Sequence, residues 1–175
     1  MTGKFLVILL AVIAIVAGVT MYYLQVYAYY EEIPPEIAEV QLVSIETGVP
    51  EPIGFENFKG IDSDSSPVRY RACFDPVEDV GTLSQTYRIA DGAEPLVAPG
   101  WFDCFDAVAI GAALEQGEAV AFMGVENVRY GIDRIVAVMP DGRAVSWQQI
   151  NACGEMVFDG NAAPEGCPEP PERLR

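Results

Sequence analysis

Cys73, Cys104, Cys153 and Cys167 carry the most reactive side chains in the sequence, since a thiol can form a disulfide, bind a metal or attack an electrophile. Their spacing argues against the last two. There is no C-x-x-C, the nearest pair is Cys153 and Cys167, and no histidine exists to complete a zinc set or to take a proton from a nucleophilic thiol. The lack of histidine also removes Ser-His-Asp sites, imidazole metal sites and any phosphoacceptor histidine. A Walker loop, a G-x-G-x-x-G turn and a nucleophile elbow are absent as well. Carboxylates remain, because two of them can share acid and base work, but among 26 Asp and Glu some pair is expected to be close by chance. Asp62-Ser63-Asp64-Ser65-Ser66 begins like a calcium loop. However, Pro67 stands where glycine is required and Cys73 where a bidentate glutamate is required, so the segment reads as a solvated turn. The expectation is a protein that is not an enzyme, with no catalytic residue, no metal site and no cofactor.

An even number of cysteines, all beyond a leading apolar segment, suits a disulfide framework in an oxidising compartment. Three pairings are open. The expected one joins Cys73 to Cys104, tying a strand to a helix start, and Cys153 to Cys167, closing a short Gly- and Pro-rich loop. Each closure is worth about 3 to 4 kcal/mol on the loop-entropy account. The alternative is a reactive Cys104 in the first turn of a helix, whose dipole lowers a thiol pKa, although Asp103 and Asp106 push the other way.

These residues follow a segment made for lipid. From Phe5 to Leu24 no residue is charged, and the uncharged run continues to Tyr30. About twenty residues at ~1.5 Å each span the ~30 Å of bilayer hydrocarbon. Tyr22, Tyr23, Tyr27, Tyr29 and Tyr30 crowd its far end, where amphipathic rings suit the headgroup layer. Lys4 precedes the span, whereas Glu31, Glu32, Glu36 and Glu39 follow it, so the N-terminus is expected in the cytoplasm and the rest outside. A cleavable signal peptide is the competing reading, with Val26 and Ala28 at the minus-three and minus-one positions. The apolar stretch is longer than the roughly 7 to 15 residues usual for such a signal, which favours an uncleaved anchor. Within it Val7, Ala11, Ala14 and Gly18 share one helical face, small enough to admit a second helix, so a membrane-protein partner is a candidate beside plain lipid contact.

Only Lys4 of the ten Lys and Arg lies before the span, leaving nine against all 26 acidic residues. Such a surface repels phosphate backbones, which excludes nucleic acid as a partner.

The boundaries read as a cytoplasmic 1–4, an anchor 5–30, a juxtamembrane linker 31–36 broken by Pro34 and Pro35, a domain 37–167 and a mobile Pro- and Glu-rich tail 168–175. Inside the domain, Val40 to Ile45 reads as a strand and 51–67 as loop. Val68, Tyr70, Ala72 and Phe74 alternate with Arg69, Arg71 and Cys73 as in a half-buried strand, and Ser84 to Ile89 reads as a short strand. Cys104 to Gln116 reads as the one amphipathic helix, with Asp103 and Asp106 at its start and Gly117 at its stop. Ala119 to Val125 suits a central strand. Ile135 to Met139 and Ala144 to Ile150 flank Met139-Pro140-Asp141-Gly142-Arg143, whose proline, aspartate and glycine specify a tight hairpin. The fold class is α+β: one transmembrane helix followed by a small exported domain with a mostly antiparallel sheet.

Ser66-Pro67-Val68-Arg69-Tyr70-Arg71-Ala72-Cys73-Phe74, then Pro99-Gly100-Trp101-Phe102-Asp103-Cys104-Phe105-Asp106 and the segment through Arg143, resemble a family of short, single-span proteins of alphaproteobacteria whose function is unknown. The resemblance implies a bacterial inner-membrane protein with a periplasmic domain, and no activity. The function expected is a non-enzymatic interaction module, an accessory or assembly factor of an inner-membrane complex. A periplasmic domain binding a small ligand or a cation is the alternative, and a carboxylate- or thiol-based enzyme a third.

Overall fold

The structure, a computed structural model, describes residues 2–172. Met1, at the start of the expected cytoplasmic segment, and residues 173–175 of the tail expected to be mobile lie outside the described residues.

Helix α1 (Thr2–Tyr23) continues into a π-turn at Leu24–Ala28, and the stretch Gly3–Ala28 has the length and composition of a membrane anchor or a signal sequence. Then come β1 (Glu31–Ile33), β2 (Gln41–Val43), β3 (Pro50–Pro52), β4 (Phe55–Asp62), β5 (Arg71–Pro76), α2 (Val80–Thr86), α3 (Ala107–Glu115), β6 (Val120–Arg129), β7 (Ile132–Val138), β8 (Ala144–Ile150) and α4 (Ala152–Phe158). Six strands form one antiparallel sheet in the order β1-β4-β5-β8-β7-β6, and β2 and β3 form a separate ribbon. The α+β class holds, with an N-terminal apolar helix and a mostly antiparallel domain.

The sheet is covered on both faces. Tyr70, just before β5, and Ala72 and Phe74 along it join Phe58, Phe122, Val136 and Val138 beneath Leu42, Leu83 and Tyr87. Cys73, Ile61, Ile135, Val145 and Trp147 look the other way, onto Phe102, Phe105 and Ile110. The strand expected from Val68 begins only at Arg71, with Val68 in a turn; from Tyr70 onward the expected alternation is present, but its second face is not solvated: Arg71 is 3% exposed. The hairpin also stands as expected, with Gly142 at φ +87° and the Met139 N–H bonded to the Arg143 carbonyl at 2.8 Å.

Several expectations give way. The segment 31–36 is not a plain linker, since Glu31, Glu32 and Ile33 pair with Asp62, Ile61 and Gly60, so the sheet begins six residues before Ile37. The expected loop 51–67 holds β3 and the eight-residue β4. A register shift between Glu56 and Lys59, with Asn57 at φ +53°, breaks the two-residue period that would have marked the strand. Ser84 to Ile89 is not a strand through its first part: α2 ends at Thr86, started by the Asp79 carboxylate accepting from the Gly81 and Thr82 N–H groups. Tyr87 and Ile89 then make isolated bridges to Ser44 and Phe122. The helix expected at Cys104 begins at Ala107, because Asp106 rather than Asp103 caps it, accepting from Val108 and Ala109. Val120–Arg129 is an outer strand, not a central one, its free edge met by Arg88 and Ala90 through backbone bonds to Met123 and Ala121. The loop expected between Cys153 and Cys167 contains α4, capped by Asn151, so α3 is one of three α-helices beyond the apolar one among the described residues.

Candidate functional site

The last turn of an α-helix leaves carbonyls without helical partners, and a π-turn rearranges them further. The Val26 carbonyl, in such a turn, accepts the Trp101 indole N–H at 2.7 Å across 75 residues of chain. The Trp101 ring stacks on Tyr27 and meets Tyr30 edge-on, with centroids 6.3 and 5.9 Å apart. The Arg69 guanidinium lies 5.4 Å over the Tyr30 ring. The apolar helix and the domain thus meet in an aromatic joint.

Two devices hold the loop that carries Trp101. Arg71, buried beside the Phe105 ring, donates to the carbonyls of Val68, Tyr70, Leu96 and Val97 at 2.7 to 3.0 Å. Burial pulls its pKa down to about 10, leaving it charged at neutral pH, and the four carbonyls take the place of the lost hydration. Three residues beyond Trp101, Cys104 is bonded to Cys73 of β5. The second disulfide joins Cys153 in α4 to Cys167. Both are the pairs expected from the sequence.

At the far end of β4 a cavity of about 250 Å³ lies among Ile33, Ile37, Phe58, Asp62, Tyr70 and Arg134. Burial pushes the Asp62 carboxyl up, opposed by the Ser63 N–H and by the charges of Arg134 and Arg129. Burial likewise raises the Tyr70 phenol, whose ring lies 4.1 Å beneath the Arg134 guanidinium. In the amide orientation that satisfies both neighbours, Gln148 accepts from Arg134 and donates to the Pro67 carbonyl. Glu39 also lines this cavity, so the corner gathers two carboxyls, Asp62 and Glu39, beside Arg134. Ser63 and Ser65, from the stretch that begins like a calcium loop, bond each other through their hydroxyls at 2.7 Å. Among the described residues no group of three or more Cys, Asp or Glu is placed to hold a metal.

Larger hollows lie elsewhere, among them one of about 830 Å³ between Val77, Val80 and Pro140. An open groove of about 890 Å³ runs between α3 and the segment 89–95, lined by Ala107, Val108, Gly111, Ala112 and Pro95. A hollow of about 270 Å³ lies beside the Cys73–Cys104 disulfide, where Phe74, Ile110 and Val145 are joined by Lys59, Asp75 and Asp106. Val7, Ala11, Ala14 and Gly18 are exposed along the apolar helix, and no other part of the chain lies within 4 Å of where a Gly18 Cβ would stand.

Sequence reasoning brought the cysteines together but missed Trp101, Arg71 and the Asp62 corner. One signal was present: an arginine at an inward position of an alternating strand demands buried acceptors. The other two depend on chain segments that meet only in the fold.

The model of a family of unknown function, DUF6446, matches residues 40–168. No curated protein and no solved structure matches the chain.

Proposed function

The chain belongs to this family of unknown function, and from that premise we propose that it is a membrane-anchored, non-enzymatic interaction module, an accessory or assembly factor of an inner-membrane complex. In this reading Gly3–Ala28 is an uncleaved anchor with its N-terminus in the cytoplasm, and the acidic domain stands in the periplasm, where its two disulfides form. The observation that carries it is the Trp101 to Val26 joint. A domain that captures a diffusing ligand gains nothing from a set attitude on its anchor. A domain that docks on a membrane complex does, because orientation is part of the entropy lost on association.

The test is gentle detergent solubilisation of the full chain followed by mass spectrometry. A companion present in stoichiometric amount, and diminished when Trp101→Ala releases the domain from its anchor, supports the reading. A chain that purifies without a stoichiometric companion overturns it. A reporter at the carboxyl end that proves cytoplasmic overturns the orientation.

The alternative, a small-ligand domain, draws on the hollow beside Cys73 and Cys104, whose apolar walls and few charged groups fit the usual make-up of such sites. A thermal-shift screen of small molecules and cations tests it. A shift removed by Ile110→Trp, which fills the hollow, would favour it over docking.

A further inference from the structure

Beside the end of the apolar helix the domain carries a second apolar element. Residues 95–102, Pro-Leu-Val-Ala-Pro-Gly-Trp-Phe, hold no charge. The segment is pinned along its length. Arg71 holds the Leu96 and Val97 carbonyls, Phe102 is buried in the core, and Trp101 is bonded to Val26. Pinning the carbonyls inward leaves Val97 facing out, 79% exposed. A single exposed valine is ordinary on a surface; what needs a reason is its setting, an uncharged eight-residue segment bonded to the end of the apolar helix.

The depth of the helix end supplies one. A span of 26 residues is about 39 Å long at 1.5 Å per residue, some 10 Å more than the hydrocarbon core, so its final turns stand in the headgroup layer. Tyr22, Tyr23, Tyr27 and Tyr29 are exposed on those turns. A loop bonded to Val26 stands at the same level. We propose that residues 95–102 form a second membrane contact, lying in the interfacial layer of the bilayer that the helix enters, with Val97 and Trp101 as the side chains it presents to lipid. This rests on the uncleaved anchor of the preceding section. The flanking Glu94 and Asp103, both exposed, and Arg69 over Tyr30 set the depth: they keep the segment among headgroups and out of the acyl core.

The chain has two tryptophans, Trp101 at this contact and Trp147 fully buried in the sheet, so one serves as the control for the other. The full chain is placed in phosphatidylcholine and phosphatidylglycerol vesicles that contain lipids brominated at different acyl depths, and flotation is measured first. In Trp147→Phe, shallow bromines should quench the remaining emission at least about twofold more than deep ones, as for an interfacial ring. In Trp101→Phe, Trp147 emission should be unaffected. Val97→Asp, which changes an exposed side chain, should weaken the shallow quenching of Trp101. If Trp147→Phe fails to fold, the wild-type chain and Val97→Asp supply the same comparison through the quenchable share of the total emission. A chain that floats with vesicles while Trp101 is no more quenched than Trp147, or whose quenching ignores Val97→Asp, overturns the second contact and leaves the anchor standing. A chain that does not float overturns the anchor and the contact together.

Discussion

The two faces of the six-stranded sheet are closed by different physics. On one, Leu42, Leu83 and Phe122 are fully buried and the cover, α2 and the β2–β3 ribbon, packs through apolar side chains, with backbone bonds along one edge only, from Arg88 to Val43 and from Met123 to Arg88. On the other, the cover is the long segment that runs from Ala90 to α3, and directed bonds hold it: the Leu96 and Val97 carbonyls on Arg71, a disulfide from Cys73, and Trp101 against the helix end. Apolar burial fixes how much surface is covered but tolerates sliding, whereas hydrogen bonds and a covalent bridge fix where each residue stands. The face that must present Trp101 to the anchor is the one that uses directed bonds.

Phe122→Ala is expected to break the apolar face outright. Removing a fully buried ring costs about 3 to 5 kcal/mol, a large part of a domain's stability, and the urea midpoint should fall for the whole domain at once. Arg71→Met attacks the other face at about 3 kcal/mol. It leaves four carbonyls, one buried and three partly buried, without their donor, less what the buried methionine returns. Its signature is local as well as global: backbone amides of residues 91–100 should exchange with solvent faster than those of β7 and β8. Arg71→Lys should rescue little, because a single ammonium cannot reach a fork of four acceptors. If Arg71→Met lowers stability with no preferential exchange in 91–100, the contrast between the two faces fails.

The disulfides sharpen the same contrast. Loop entropy assigns about 3.7 kcal/mol to the 31-residue separation of Cys73 and Cys104 and about 3 kcal/mol to the 14-residue separation of Cys153 and Cys167. The two losses of stability should therefore be similar. Their effects on the joint should not be: Cys73→Ala with Cys104→Ala should release Trp101 and red-shift its emission, while Cys153→Ala with Cys167→Ala should leave that emission unchanged. Equal spectral changes in both pairs would count against a disulfide dedicated to the joint.

What could be read from the sequence follows the same division between short-range and long-range causes. The hairpin at Met139 to Arg143 was legible because Pro140, Asp141 and Gly142 each act on their own backbone. The cysteine pairing and the alternation through Tyr70, Ala72 and Phe74 were legible for similar reasons. β4 was hidden because the Asn57 bulge destroys its period, and Phe58 folds over Gly60 so closely that a Cβ there would meet the ring at 2.6 Å. In α4, Gly154 looks like a helix breaker. Its backbone in fact abuts Gly131 so tightly that no side chain fits. Trp101, Arg71 and Asp62 acquire their roles from contacts with distant segments, and no local pattern announces those.

The smallest expected effect lies at the corner of β4 and concerns pH. Burial raises the Asp62 carboxyl above its ordinary 3.8, so the folded chain holds that proton more tightly than the unfolded one. Between 3.8 and the raised folded value the native state binds more protons, and stability contributed by this group therefore falls as pH rises through that window. Above it, the charged carboxylate is a fixed penalty, partly offset by Arg134, Arg129 and the Ser63 N–H. Asp62→Asn keeps an oxygen for the Ser63 N–H and removes the charge. The variant should be slightly more stable than the wild type at pH 7, and the advantage should vanish below about pH 4, where the wild-type carboxyl is also neutral. Paired urea titrations of the two chains at pH 7 and at pH 3.5 measure it. A variant less stable than wild type at pH 7 would mean that the arginines, and not burial, dominate this carboxyl, and that the corner is a second place where directed charge, rather than apolar cover, closes the sheet.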